Sequence, residues 1–152
     1  MSIIYTDTKY YTIKDLQELF QAVGWLSANY PERLKKALDN SETVFAAWDG
    51  NKLAGLVNAI DDSELTAYVH YLCVNPEYQG QGIGRKMFMI AKDIAHEKGY
   101  SFLQVKTVQM GKYEDYDDTN RFYISLGFKE FEVFPTLWDE ANLCQIYVMS
   151  VE

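Results

Sequence analysis

Between Tyr71 and Lys92 the chain passes from an apolar run, through glycines at alternate positions, straight into an amphipathic helix. Tyr71, Leu72, Cys73 and Val74 form the run, and Asn75-Pro76 ends it, because proline cannot donate to a strand ladder. Gly80, Gly82 and Gly84 follow. Ile83, Met87, Ile90, Ala91, Ile94 and Ala95 then recur at i, i+4, i+7, i+8, i+11 and i+12, one apolar face of a helix of about four turns. A strand, a glycine-rich turn and a helix start in immediate succession make an anion site. Glycine lets the backbone approach a ligand, and the first N–H groups, at the positive end of the helix dipole, point at it. Phosphate is the expected guest.

The elements around this stretch are legible from period and punctuation. Ser2 to Thr6 predicts a short strand. Thr12 caps a helix carrying Ile13, Leu16, Leu19, Phe20 and Val23, which Gly24 ends. Pro31 suits the first turn of a second helix, with Leu34, Ala37 and Leu38 on its apolar side. Thr43 to Trp48 and Leu53 to Ile60 read as strands around an Asp49-Gly50-Asn51 turn, and Leu65 to Val74 as a longer strand after Asp61-Asp62-Ser63. Lys98-Gly99 closes the glycine-led helix. Phe102 to Val108 predicts a strand, residues 111–118 an acidic loop, and Thr119 to Leu126 a helix ended by Gly127. Phe128 to Phe134 predicts a strand, Pro135 to Asn142 a loop, and Leu143 to Val151 the last strand. The order is β-α-α-β-β-β-α-β-α-β-β. It implies a mixed sheet covered by helices, of α/β (α+β) class, in a single domain over residues 1–152.

Charge narrows the partners. With 22 acidic and 14 basic side chains the net charge is −8, which argues against nucleic acid and acidic membranes and suits a cationic or amine-bearing partner. Cys73 and Cys144 lie in apolar runs without metal-ligand spacing, so no metal is expected and both read as reduced, buried thiols. The N-terminal MSIIYTDTKYY lacks the basic region and apolar core of a signal peptide, and no run is long enough to span a membrane. The expected location is the cytoplasm.

Three glycine-rich motifs compete for the phosphate. The P-loop GxxxxGK[ST] fails, since Arg85-Lys86-Met87 after Gly84 offers no hydroxyl for magnesium. The dinucleotide fingerprint GxGxxG fails by one position, Arg85 standing where the third glycine belongs, and a meander precedes the motif here. The third pattern, V-x-P-x-x-[QR]-G-x-G-[IL]-G, is met from Val74 to Gly84 at every defined position. This stretch resembles the acetyl-CoA motif of GNAT-type N-acetyltransferases. Phe122-Tyr123-x-x-x-Gly127-Phe128 resembles the FYxxxGF signature of the same superfamily.

The resemblance implies a GNAT-like acyl-CoA N-acyltransferase fold, a mostly antiparallel sheet of about seven strands flanked by about four helices. It implies acetyl-CoA as co-substrate and acetyl transfer to a primary amine by direct attack in a ternary complex. Pantetheine is then expected to pair with the backbone of Leu72, Cys73 and Val74 as an added strand would. The pyrophosphate is expected on the N–H groups of Gln81, Gly82, Ile83 and Gly84, beside Gly80, with Gln79 lining the turn and Arg85 close enough to assist. Such a transfer needs a free amine, a donor to the thioester carbonyl and an acid for the leaving thiolate. Tyr123 matches the family's acid, and an ordinary phenol, with pKa about 10, is protonated at neutral pH.

Where several relatives carry a glutamate base, four residues before the motif's valine, this chain has His70. A merely hydrogen-bonded histidine, or a water ordered by Tyr71 or Glu64, is the alternative. Tyr116 stands where the family often has an asparagine, and Asn120, one helical turn on, is the candidate cofactor contact. Trp25, Tyr30, Tyr116 and Trp138 are candidate walls of the acceptor pocket. Glu114, Asp115, Asp117 and Asp118 either draw a cationic amine or form a solvated loop. The expected acceptor is a small-molecule or peptide amine and the expected assembly a monomer or homodimer. A non-catalytic acyl-CoA-binding or sensing module is the other reading.

Overall fold

Short-range signals start the first two helices. Thr12 Oγ1 accepts from the Asp15 N–H at 3.1 Å and the Asp15 carboxylate accepts from the Thr12 N–H at 2.8 Å, a reciprocal cap that satisfies two backbone donors. Pro31 opens the next helix, where its missing N–H is no loss. The computed structural model describes residues 2–152. Its strands and helices run β1 (Ile3–Thr6), α1 (Ile13–Ala22), α2 (Pro31–Asp39), β2 (Thr43–Asp49), β3 (Lys52–Asp61), β4 (Thr66–Val74), α3 (Ile83–Glu97), β5 (Phe102–Val108), α4 (Glu114–Ser125), β6 (Lys129–Asp139) and β7 (Asn142–Ser150). The seven strands are hydrogen-bonded in the order β1-β2-β3-β4-β5-β7-β6. β4 and β5 run parallel, from Thr66↔Phe102 to Tyr68↔Gln104, whereas β1–β2, β2–β3, β5–β7 and β6–β7 are antiparallel. No helix among the described residues is long and apolar enough to cross a membrane.

The chain forms two compact units. The first takes the described residues up to Ile60 together with Val69–Ile94. Its core joins Leu16, Leu19 and Phe20 of α1 to Leu34 and Leu38 of α2, Val44 and Ala46 of β2, Leu53 and Leu56 of β3 and Cys73 of β4. Periodicity alone assigns Leu16, Leu19, Phe20, Leu34 and Leu38 to buried faces, since residues three and four apart share one side of a helix. A short 3-10 turn, Leu26–Asn29, joins the first two helices. It had no sequence signal. Gly55 of β3 marks the tightest point of the unit. A methyl group there would stand 2.9 Å from the Cys73 carbonyl oxygen and 2.9 Å from Met87 Cε, so only glycine lets α3 and β4 close on β3.

The second unit takes Asp61–Tyr68 with Ala95–Glu152. β7 lies between β5 and the edge strand β6, paired to β5 from Phe102↔Ser150 to Val108↔Cys144. Asn120 ties α4 to these strands. Its Nδ2 donates to the carbonyls of Val108 (2.9 Å) and Tyr116 (2.6 Å), and its Oδ1 accepts from the Tyr147 hydroxyl at 2.5 Å.

Two expectations are corrected here. α4 begins at Glu114, so most of the acidic segment is helix rather than loop. Glu114, Asp115 and Asp117 occupy its first turn, where carboxylates favour the positive dipole end, and Asp117 also accepts from the Gly111 N–H at 2.7 Å. β6 continues through Pro135 to Asp139, so the loop after Phe134 shrinks to a tight hairpin. An edge strand tolerates proline, and the β6–β7 register is irregular between Phe134 and Asp139.

The crowding at Gly55 generates a test. Gly55→Ala should lower stability by about 1–3 kcal/mol, because a backbone carbonyl must move to admit the methyl group. Chemical denaturation measures it, and an unchanged midpoint would show that the strands have slack.

Candidate functional site

Glycine conformation shapes the turn after β4. The side chain of Asn75, 8% exposed, accepts from the Glu77 N–H at 3.0 Å, and its own N–H donates to the Ala54 carbonyl at 2.8 Å. A single 3-10 turn, Pro76–Tyr78, follows. Tyr78 anchors it by donating its hydroxyl to Asp49 at 2.7 Å, and Lys52 pairs with Glu77 at 2.5 Å. Gln79 Nε2 reaches back to the Val74 carbonyl at 3.0 Å, so this side chain holds the turn against the end of β4. Gly80 and Gly82 have φ of +80° and +81°, the left-handed region that side chains avoid. Neither has an atom within 4 Å of the position a Cβ would occupy, so the space above both is open.

α3 starts at Ile83, and Lys86 makes the first helical bond, to the Gly82 carbonyl at 3.0 Å. The N–H groups of Ile83 and Gly84 therefore have no acceptor within the helix. α1, α2 and α4 each carry an acidic residue in the first turn, whereas α3 carries none and has Arg85 and Lys86 instead. In a chain of net charge −8 this is a helix start with two basic residues in its first turn. The turn residues expected to hold a phosphate thus lie together in one unit.

Leu72, Cys73 and Val74 lead into the turn along β4. The Cys73 side chain faces the core, and burial pushes its thiol up to about 12, with only a backbone hydrogen bond from Leu56 opposing. Burial likewise pushes up the Cys144 thiol, against the nearby charge of Lys106. Neither has the thiolate character of a nucleophile. His70 is exposed, with its ring 4.1 Å from that of Tyr71. Tyr71 packs edge-on to Phe20 at 5.1 Å and lies 5.8 Å from Trp25. Burial raises the Tyr71 phenol, more than a hydrogen bond with Ser27 lowers it, so it stays protonated at neutral pH. Trp25 is accordingly part of the aromatic wall of this unit. Tyr30 is 56% exposed, and the guanidinium of Arg33 stands 5.3 Å from its ring centroid.

In the second unit Tyr123 is 8% exposed, its ring 5.7 Å from Phe128 and 6.2 Å from Tyr147. Tyr116 is half-exposed and edge-on to Tyr113 at 5.9 Å, and Trp138 is exposed on β6. Asn120 is 0% exposed, and both of its amide hydrogens are used on backbone carbonyls. Its Oδ1 is likewise engaged within the protein, by the Tyr147 hydroxyl. Asn58, which sequence reasoning passed over as one more strand position, is 3% exposed and accepts from the Tyr71 N–H through its side chain. Its only signal was an amide in the middle of an apolar strand.

Comparison with known proteins accords with this arrangement. The family described as "Acetyltransferase (GNAT) family" matches residues 10–128. The chain is 31% identical over 124 residues to the uncharacterized N-acetyltransferase ycf52 of Gracilaria tenuistipitata var. liui, covering 78% of this chain and 63% of that one. It is 28% identical over 102 residues to the ycf52-like N-acetyltransferase of Prochlorococcus marinus, covering 64% and 56%. It thus spans less than two thirds of the length of these two relatives. A GNAT-family protein of Desulfovibrio desulfuricans superposes with a TM-score of 0.86 at 17% identity, over 99% of this chain and 100% of that one. An aminoglycoside 6'-N-acetyltransferase complexed with coenzyme A superposes with 0.77 at 17% identity, over 100% and 98%. At such identities the likeness concerns the fold, and the fold is the acyltransferase fold that the motifs implied.

The buried thiol gives a pH signature. Its folded value lies above the ordinary 9.0, so it contributes stability below pH 9.0 that is lost as pH rises toward about 12. Melting temperature should therefore fall less steeply above pH 9.0 in Cys73→Ala than in the parent, whatever the packing loss at neutral pH. Parallel slopes would remove this thiol from the alkaline limb.

Proposed function

The chain belongs to the GNAT acetyltransferase family, and on that premise we propose that it moves the acetyl group of acetyl-CoA to a primary amine by direct attack within a ternary complex. One observation carries the reading. Two left-handed glycines with open space above them lead into a helix start whose N–H groups lack helical acceptors and whose first turn is basic. The donor set suits a pyrophosphate, and glycines at both positions leave room for one. In this reading Gln81, Gly82, Ile83 and Gly84 supply N–H groups to the diphosphate, Gly80 gives clearance, Gln79 holds the turn and Arg85 adds charge. Leu72, Cys73 and Val74 offer their backbone to pantetheine.

The amine nitrogen attacks the thioester carbonyl carbon, and collapse of the tetrahedral intermediate breaks the C–S bond. Tyr123 gives its phenolic proton to the leaving thiolate, and His70 or water takes the proton lost by the amine. The raised thiols of Cys73 and Cys144 favour this direct route over an acyl-cysteine. Trp25, Tyr30, Tyr116 and Trp138 stay as proposed acceptor walls. At Tyr30 the Arg33 guanidinium already lies near the ring, so that tyrosine offers a contact surface rather than a free cation site. The acceptor is a small-molecule or peptide amine, and the setting is a cytoplasmic monomer or homodimer.

Thiol release from acetyl-CoA in the presence of an amine panel tests the activity. Turnover with at least one amine is expected, and tight binding without turnover would leave an acyl-CoA-binding module instead. Tyr123→Phe should lower kcat by about 10²-fold or more with acetyl-CoA affinity nearly unchanged, as removal of a general acid does. Gly82→Val should do the reverse, weakening acetyl-CoA binding about ten-fold or more, because a branched side chain opposes the +81° backbone angle.

A further inference from the structure

Asn58 is an amide set in an apolar strand, only 3% exposed, between the buried Val57 and the half-buried Ala59. Burying such a side chain is costly unless its polar atoms are matched. Its Oδ1 accepts from the Tyr71 N–H at 2.9 Å, and its Nδ2 donates to Ser41 Oγ at 3.4 Å. Ser41 is itself 4% exposed, lies within reach of the Thr43 and Ala59 carbonyls, and has its own carbonyl held by Lys9 Nζ at 2.6 Å. The amide is therefore fixed from behind as well as in front.

The register makes the contact informative. Asn75 N–H donates to the Ala54 carbonyl at 2.8 Å. A regular antiparallel ladder repeats such a bond at every second residue, so Tyr71 would donate to the Asn58 backbone carbonyl. Here its N–H donates to the Asn58 side-chain oxygen at 2.9 Å. At this point an amide side chain of β3 holds the β4 main chain, and the next residues along β4 are Leu72, Cys73 and Val74. Close by, Gly55 lets the Cys73 carbonyl approach to where a Cβ would lie 2.9 Å away. Two positions of β3 thus control the path of these three residues.

We propose that Asn58 is a positioning residue for acetyl-CoA, setting the course of the β4 segment that pairs with pantetheine by holding the Tyr71 N–H on its side-chain carbonyl. The inference rests on the acetyl-CoA reading given above. Asn58 touches no reacting atom in this scheme. Its effect passes through the backbone of β4, so it should appear in cofactor affinity apart from stability.

Calorimetric titration of acetyl-CoA, with thermal melts of the same samples, separates the possibilities. Asn58→Leu keeps the volume but removes the acceptor, and affinity should fall about ten-fold or more. Asn58→Asp keeps an acceptor for Tyr71, so its affinity should stay within about threefold of the parent, although a buried carboxylate lowers its melting temperature. Val57→Ala, beside it and equally buried, should lower the melting temperature without a comparable loss of affinity. Affinity that follows melting temperature across all three variants would overturn the proposal, as would Asn58→Leu binding like the parent. If Asn58→Leu does not fold, the comparison of Asn58→Asp with Val57→Ala decides. Affinity lost in Asn58→Asp as far as its stability predicts from Val57→Ala overturns the proposal, and affinity retained supports it. A parent that binds no acetyl-CoA would instead sink the cofactor reading itself.

Discussion

Every backbone N–H must find an acceptor, and at the start of α3 the helix offers none. Its ladder begins at Lys86, and a turn through two left-handed glycines delivers the chain to that start with nothing standing over them. The other three α-helices carry acidic residues in their first turns, and in α1 Asp15 and Thr12 cap each other reciprocally. α3 has basic residues there instead. In the proposed function a phosphate-bearing ligand would complete what the helix leaves open, and the remaining features of the first unit hold that opening in place.

Holding it in place falls largely to the end of β4 and to β3. Tyr78 on Asp49, Gln79 on the Val74 carbonyl and Asn75 on both Glu77 and Ala54 fasten the turn with contacts from four directions. Most are single hydrogen bonds of modest net worth, about 0.5–1.5 kcal/mol each, but together they leave the loop few alternative paths. Beneath them the core of α1, α2 and three strands supplies the apolar burial that offsets ordering the chain. Phe20, Trp25 and Tyr71 continue that core as an aromatic wall up to His70. In the second unit Asn120 does comparable work for α4, with the Tyr147 hydroxyl and two backbone carbonyls as partners.

Much of the fold was legible because its signals are local. Thr12 and Asp15, Pro31, the Asp49-Gly50 turn and Gly127 each punctuate the chain by steric or hydrogen-bonding rules that act within a few residues. The failures have equally definite causes. The segment from Glu114 onward looked like a polar loop, yet negative charge favours a helix start and the helix takes it up. Pro135 looked like the end of a strand, yet an edge strand does not need that N–H. For Asn120 the helix position did not reveal which partners its amide takes within the protein, the carbonyls of Val108 and Tyr116.

The amino-acid sequence by itself determined the glycine turn, its strand and helix, the order of elements and the family to which they belong. Those properties follow from residue types at short spacing, and the physics behind them is local. Only the tertiary structure decided which polar side chains are spent inside the protein and which stay exposed. Asn58, Gln79 and Asn120 are alike as amides, and side-chain partners of theirs lie 13, 5 and 12 residues away in the chain. No local rule ranks such contacts, because the cost of an unmatched polar group depends on burial, and burial exists only once the chain has folded.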